Sequence, residues 1–339
     1  MAPLVSVLMP ALNEEKVIAR TIGMVLAQDG VDVEVLVVHG QSVDRTADIV
    51  SEIAKGDPRV RLIPNPRNII PVALNIGLAQ AAGPYIARID AHADLAPGYL
   101  RRGVEWLEKN PKLASVGGLR RGAAFTRVGR TIGLCLSSPY AIGNSLNHFG
   151  TEAQLTDHAS FAVVRTDAAR QVDGWDETLL VNEDVDFDHR LIQAGYQIGF
   201  DPEMLVGWHV QETIPRLFRQ YRRYGRGKAQ MILKNGSGAI RLRHLVPPAF
   251  VVGSGLILLA GVVKPGLWLL LSPYAALVGV ASAKQWRKRG DEDVSLPALP
   301  ASFVAIHVGW GLGMLEGLLL RRGPQLASGN GAVKVAQTA

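Results

Sequence analysis

VSVLMPALNEE, residues 5–15, sets the fold: an apolar run from Val5 to Met9 is stopped by Pro10 and followed by a polar, acidic turn. A run this short, ended by proline, suits a strand buried in a parallel sheet better than a helix. Asn13, Glu14 and Glu15 are residues that cap helices, and Val17, Ile18, Ile22, Val25 and Leu26 recur at helical spacing, which predicts a helix over about 14–28. The alternation continues outward. Val33–Val38 reads as a second buried strand, Ser42–Lys55 as a helix, Val60–Ile63 as a strand, about 71–82 as a helix and Tyr85–Ile89 as a strand. Strands alternating with helices specify a parallel open sheet of Rossmann-like type, an α/β fold. In such sheets ligands bind beyond the C-terminal ends of the strands. The segments Pro10–Glu14, His39–Asp44 and Asp90–Asp94 all follow strand ends and are the first candidate binding segments.

The 339 residues exceed one ordinary domain, and 48% of them are hydrophobic, yet the first 240 or so read as soluble α/β sequence. The apolar surplus therefore sits at the C-terminal end. The stretches 245–263, 266–283 and 298–320 are apolar enough, and nearly long enough, to span a bilayer. Arg241 and Arg243 precede the first, and Lys284, Arg287, Lys288 and Arg289 follow the second, so these two read as a hairpin with both ends in the cytosol. The third carries His307 and Glu316, which leaves open a spanning, re-entrant or packed helix. The tail from Gly323 has the composition of a disordered segment.

The net charge of +6 clusters around these spans, which points to a membrane surface rather than nucleic acid. In 211–244 the basic residues Arg216, Arg219, Arg222, Arg223, Arg226 and Lys228 interleave with Phe218, Tyr221 and Tyr224, the composition of an interfacial amphipathic helix. Cys135 is the single cysteine, so an internal disulfide and a cysteine-based metal site are excluded. The N-terminus lacks the basic region and long apolar core of a secretory signal, so the part before 210 is expected in the cytosol.

Three constellations carry candidate chemistry. Asp90, His92 and Asp94 fall at every second position after a strand, and in an extended stretch they share a face that can hold a divalent cation. Acids after a strand equally serve as turn formers. Glu183, Asp184, Asp186 and Asp188 place four carboxylates in six residues, suited either to proton transfer or to a helix start. The preceding Asp173-Gly174-Trp175-Asp176 reads as a turn that presents an aromatic, for a sugar or for the core. Gln220-Tyr221-Arg222-Arg223-Tyr224 offers guanidinium forks for phosphate, whether of a ligand or of lipid.

The ordered succession VSVLMPALNEE, HGQSVDRTADIV, NPRNIIPVALNIG, YIARIDAHADLAPGYL, NEDVDFDHRLIQAGY and RQYRRYGRGKA, over about residues 3–230, strongly resembles family 2 glycosyltransferases, closest to the succinoglycan-biosynthesis branch. The resemblance implies an A-type nucleotide-sugar domain over 1–210, followed by the basic segment 211–244, a membrane domain at 245–322 and the tail 323–339. It also implies inverting transfer of a hexose from a UDP-sugar to a polyprenyl-linked or glycan acceptor, with Mg²⁺ or Mn²⁺, at the cytoplasmic membrane, in exopolysaccharide synthesis. By resemblance, Pro10, Ala11, Glu14, His39, Asp44 and Asn75 fall in the nucleotide-sugar region, and Asp90 and His92 in the metal motif, with Asp90 also on the donor. Asp184, beside Glu183, is the implied general base, and Gln220, Arg223 and Tyr224 match the element that holds the diphosphate. The pattern departs at His39, where relatives carry aspartate, at His92, which replaces a second Asp, and at Tyr224, which replaces Trp. Those departures motivate a competing reading, an inactive scaffold subunit. Loops around 65–72 and 212–228 are expected to close over the site and exclude water.

Overall fold

The computed structural model describes residues 2–236 and 242–320. Six opening elements follow the predicted alternation: β1 (Leu4–Ala11), α1 (Ile18–Leu26), β2 (Asp32–His39), α2 (Thr46–Gly56), β3 (Val60–Pro64) and α3 (Ile70–Gln80), with β4 (Tyr85–Arg88) next. β1 pairs in parallel with both β2 and β4, and β2 with β3, which puts the ends of β1, β2 and β4 on one edge. Val7, Leu8, Leu36, Val37, Ile86 and Ala87 of these strands are fully buried, as expected of a sheet covered on both faces.

The capping expectation at Asn13–Glu15 is corrected. α1 begins at Ile18, and Asn13 adopts a left-handed backbone with φ 58°. Its Oδ1 accepts from the Val43 N–H at 2.8 Å, and its own N–H donates to Ser42 Oγ at 2.9 Å. The turn after β1 is therefore sewn to the turn after β2 instead of starting a helix.

Beyond β4 the sheet changes character. The chain adds β5 (Asp94–Leu95), α4 (Tyr99–Lys109), β6 (Leu113–Ala123), α5 (Arg127–Leu136), α6 (Pro139–Ile142), a 3-10 turn at Leu146–His148, β7 (Gln154–Thr156), β8 (Val163–Arg165) and α7 (Thr166–Gln171), then α8 (Glu183–Gln193) and β9 (Gln197–His209). The strand order is β3-β2-β1-β4-β8-β6-β9-β5, with β7 also on β9. β8 lies antiparallel between β4 and β6, so the sheet is mixed rather than parallel throughout.

The rest is helical: α9 (Ile214–Asn235), α10 (Leu242–Val263), a 3-10 stretch at Pro265–Leu271, α11 (Ser272–Lys288) and α12 (Ala298–Leu320). Among the described residues, His244–Val263, Pro265–Lys288 and Ala298–Leu320 are helices long and apolar enough to cross a membrane. They differ in setting. Leu256, Leu259, Val262 and Val263 of α10 are exposed, whereas Leu299, Phe303, Ile306 and Met314 of α12 are buried. α12 lies along α9 at backbone contact. A Cβ on Gly313 would stand 1.9 Å from the Arg222 carbonyl oxygen, and one on Gly225 would stand 2.2 Å from that of Trp310. Glu316 accepts hydrogen bonds from Arg222 Nε at 2.8 Å and Arg226 Nε at 2.5 Å, so the acid of the third span has two partners on α9. Gly323, Arg241, Arg321 and Arg322 lie outside the described residues.

Candidate active site

A cavity of about 940 Å³ opens where the C-terminal edge of the sheet meets α8, α9 and the apolar C-terminal helices. That volume is at the upper end for ligand pockets. Its walls bring together Asp90 and His92 after β4, Glu183 and Asp184 on α8, and Gln220, Arg223 and Tyr224 on α9. These come from three separated motifs of the chain.

Asp184 sits in the first turn of α8, where the helix dipole favours an anion. Asn182 starts this helix in the left-handed region at φ 62°, and its Nδ2 donates to the Tyr224 carbonyl at 3.1 Å, which ties α8 to α9. Asp184 Oδ1 accepts the Val185 N–H at 2.8 Å, while Oδ2 lies 3.6 Å from His158 Nε2. Burial opposes its charge, but His158, Arg88 and the Val185 N–H outweigh it and hold the carboxyl below the usual aspartate range. Glu183 is driven the other way by burial, against the pull of Arg88. Arg88 links the two acidic groups of the cavity: its Nη1 donates to Glu183 at 2.9 Å, and its Nε lies 3.4 Å from Asp90.

The remaining acids of α8 are committed to partners within the fold, and of the two Asp188 also lines the cavity. Asp186 accepts from Arg190 Nε at 2.8 Å and also from Asn235, and Asp188 accepts from the Ala159 N–H at 2.8 Å. Trp175 is buried and stacks on Phe187 at 4.5 Å between ring centres, which makes it core.

The expectation that Asp90, His92 and Asp94 share one face is corrected. The backbone turns here, with the Ala93 N–H on the Asp90 carbonyl at 3.0 Å, and Asp94 pairs instead with Arg20 at 2.9 Å. No group of three or more histidine, cysteine or acidic side chains suited to a metal occurs among the described residues. Asp90 and His92 nevertheless fit a cation that takes its other ligands from a diphosphate. His92 Nδ1 stands 2.9 Å from Glu14 Oε1, the carboxylate–imidazole contact that fixes a ligating histidine's tautomer and leaves the other ring nitrogen free to coordinate.

Pro10, Ala11 and His39 at the ends of β1 and β2, with Glu14 and Asp44 just past them, form one group that meets the cavity through that Glu14–His92 contact. Asp44 accepts from Thr46 N at 3.0 Å and Glu15 N at 3.1 Å, and despite the counter-effect of burial these bonds lower its pKa. His39 ends β2, its Nε2 is enclosed without a partner, and burial lowers its pKa. Asn75 is placed elsewhere: its amide donates to the Trp175 carbonyl at 2.8 Å and accepts the Trp175 N–H at 2.8 Å. It fastens the 173–177 turn to α3, and its Nδ2 also donates to Glu177 at 3.1 Å.

Among the cavity residues that were not anticipated are Arg88, His158, Arg120 and His148. His158 bridges Asp184 and Asp188, with Nδ1 2.8 Å from Asp188 Oδ2. Arg120, from β6, contacts His148 and lies over the Trp208 ring at 4.8 Å, while its Nε is enclosed and unpartnered. Burial, with Arg120 and His158 nearby, holds His148 well below the ordinary histidine pKa, so it is neutral and able to accept from Arg120. Lone histidines and a strand arginine between motifs leave no periodic signal in a sequence.

Residues 6–172 match the model of the family described as Glycosyl transferase family 2. Over 321 residues the chain is 28% identical to the succinoglycan biosynthesis protein ExoA of Rhizobium meliloti (strain 1021), covering 92% of this chain and 94% of that one. A dolichyl N-acetyl-glucosaminyl phosphate glucuronosyltransferase of Methanococcus voltae is 23% identical over 81% of this chain and 85% of its own. Among solved structures, the mannosyltransferase PcManGT of Pyrobaculum calidifontis, in complex with GDP-Man and Mn²⁺, superposes with a TM-score of 0.65 at 18% identity, over 95% of this chain and 89% of that one. The fold, the cavity and these likenesses agree: the chain is a glycosyltransferase of family 2.

Proposed function

We propose that the chain transfers a hexose from a nucleotide diphosphate sugar, UDP by preference, to a lipid-linked or polysaccharide acceptor for a cell-surface or exopolysaccharide. The observation that carries this reading is the shared cavity, which Asp184 and Asp90 both line, with Arg88 reaching from Asp90 to Glu183, the neighbour of Asp184. Asp184, held ionised, takes the proton of the acceptor hydroxyl as that oxygen attacks the anomeric carbon, and the C–O bond to the nucleotide diphosphate breaks on the opposite face. A single displacement of this kind inverts configuration. Arg223, Gln220 and Tyr224 hold the departing diphosphate, and the enclosed Nε of Arg120 offers a further donor. Asp90 and His92 would hold the divalent cation, which when bound neutralises charge on that diphosphate. Pro10, Ala11, His39 and Asp44 form the nucleoside end beyond Glu14.

Two relatives favour the acceptor class, since one is named for succinoglycan biosynthesis and another for a dolichyl phosphate substrate. The solved neighbour's GDP-Man and Mn²⁺ favour a nucleotide sugar with a metal. The cavity itself favours a lipid-linked acceptor, because Val246 and Pro247 of α10 and Ile306 and Trp310 of α12 extend its wall into the apolar helices. We assign 1–210 as the catalytic domain, α9 as its link to the bilayer, and the last three helices as a membrane domain. Lys284, Arg287 and Lys288 at the end of α11 favour the cytosolic side for that end and for the catalytic domain.

The test is nucleotide release from a panel of UDP- and GDP-sugars with Mn²⁺ or Mg²⁺, by the full chain in lipid nanodiscs with a polyprenyl-diphosphate glycan. Asp184→Asn is expected to lower turnover by about 10²–10⁴-fold. Undiminished transfer by that variant would remove Asp184 from the mechanism.

A further inference from the structure

We infer that His158, clamped by Asp188, is a positioning residue that keeps the Asp184 carboxylate charged and aimed into the cavity. The inference rests on the assignment of Asp184 as base and adds what sets its strength. His158 stands between Asp188 on one ring nitrogen and Asp184 on the other. Asp188 is fully buried and takes two donors on one oxygen, His158 Nδ1 at 2.8 Å and the Ala159 N–H at 2.8 Å. The ring is thus fixed by a charge that has no access to water. Its other nitrogen then points at Ser160 Oγ, 3.3 Å away, and at Asp184 Oδ2, 3.6 Å away. Ser160 Oγ already accepts from Asn147 Nδ2 at 2.6 Å, so the serine is held in place by the loop beneath.

An opposite charge 3.6 Å from a carboxylate stabilises its ionised form. It also restricts the rotation of that carboxylate, whose second oxygen is already fixed by the Val185 N–H at 2.8 Å. The groups that face His158 are the two aspartates on α8, Arg120 on β6 and neutral His148 on the 3-10 turn. Burial and Arg120 oppose the imidazolium, but the two carboxylates prevail and raise the pKa of His158 above the ordinary histidine value. His158 is therefore biased toward its protonated form, and Asp184 accepts the acceptor's proton beside that held ring. This partnership lowers the basicity of Asp184 and keeps it available as a base in mildly acidic conditions.

The experiment is a pH profile of kcat and kcat/KM for nucleotide release by the full chain in nanodiscs, comparing the wild type with His158→Gln and Asp188→Asn. Loss of the cation raises the pKa of Asp184, so the acidic limb of His158→Gln is expected to move up by about one pH unit or more. Asp188→Asn, which weakens the clamp, is expected to shift the limb by less. A uniform loss of rate with unmoved limbs would assign His158 a purely structural role and overturn the inference. Where His158→Gln does not fold, the ring is titrated directly by NMR of ¹³C-labelled histidine in the wild type and Asp184→Asn. A lower midpoint for His158 in Asp184→Asn supports the coupling, and an unchanged midpoint overturns it. Because that titration is independent of turnover, failure of the pairing and failure of Asp184 as base are read separately.

Discussion

The two ends of the cleft treat their polar groups in opposite ways. Past β1 and β2, most side chains and backbone groups satisfy each other locally, His39 Nε2 being the exception: Asn13 takes the Val43 N–H, Asp44 the N–H groups of Thr46 and Glu15, and Asn68 the Gln41 N–H. Around α8 and α9, by contrast, enclosed polar atoms are left over, among them Arg120 Nε and Gln220 Oε1. An enclosed unpaired donor or acceptor costs about 1–3 kcal/mol, so a native cavity retains one where a ligand completes it. The first end is a scaffold that presents backbone to a ligand. The second is a surface prepared for charge.

This contrast can be broken by substitution, and the largest effect belongs to the second end, where Asp184→Asn removes the carboxylate proposed as the base. Next in size is a core position that resembles a sugar platform: Trp175→Ala is expected to cost about 3–5 kcal/mol in thermal or denaturant unfolding, through loss of its stack on Phe187. Unchanged stability together with a raised acceptor KM would return Trp175 to the site. Gly313→Val should cost about 1–3 kcal/mol, because its side chain meets the Arg222 carbonyl, and should reduce turnover through displaced α9. Folding and activity like the wild type would mean that α9 and α12 are not in backbone contact. The smallest effect is expected at the scaffold end, where Asp44→Ala removes the bonds to Thr46 and Glu15 and should cost about 1 kcal/mol, with the donor KM raised and kcat kept. A collapse of kcat there would erase the distinction between the two ends.

What could be read beforehand follows the same division. The β1 to β4 half is written in short apolar runs and helical spacing, signals that each element carries alone. The antiparallel entry of β8 was not legible, because Val163–Arg165 is three residues long and strand direction has no local signature. Asp90, Asp184 and Arg223 stood out because their neighbours form ordered motifs. His158, Arg120 and Asp188 gain meaning only through partners 26 to 88 positions away in the chain, which spacing does not disclose. Asn75 shows the converse, as a residue inside a motif whose amide is committed to a turn.

The bridge from Glu316 to Arg222 and Arg226 leaves Arg219 and Arg223 on the same helix facing the cavity. One face of α9 is thereby bolted to a segment long enough to cross a bilayer, and the opposite face lines the reaction chamber. Tilting α12 to suit a thicker or thinner membrane would carry the guanidinium groups with it. Turnover should accordingly vary with the acyl-chain length of the surrounding lipid, a dependence that vesicles of graded thickness would reveal.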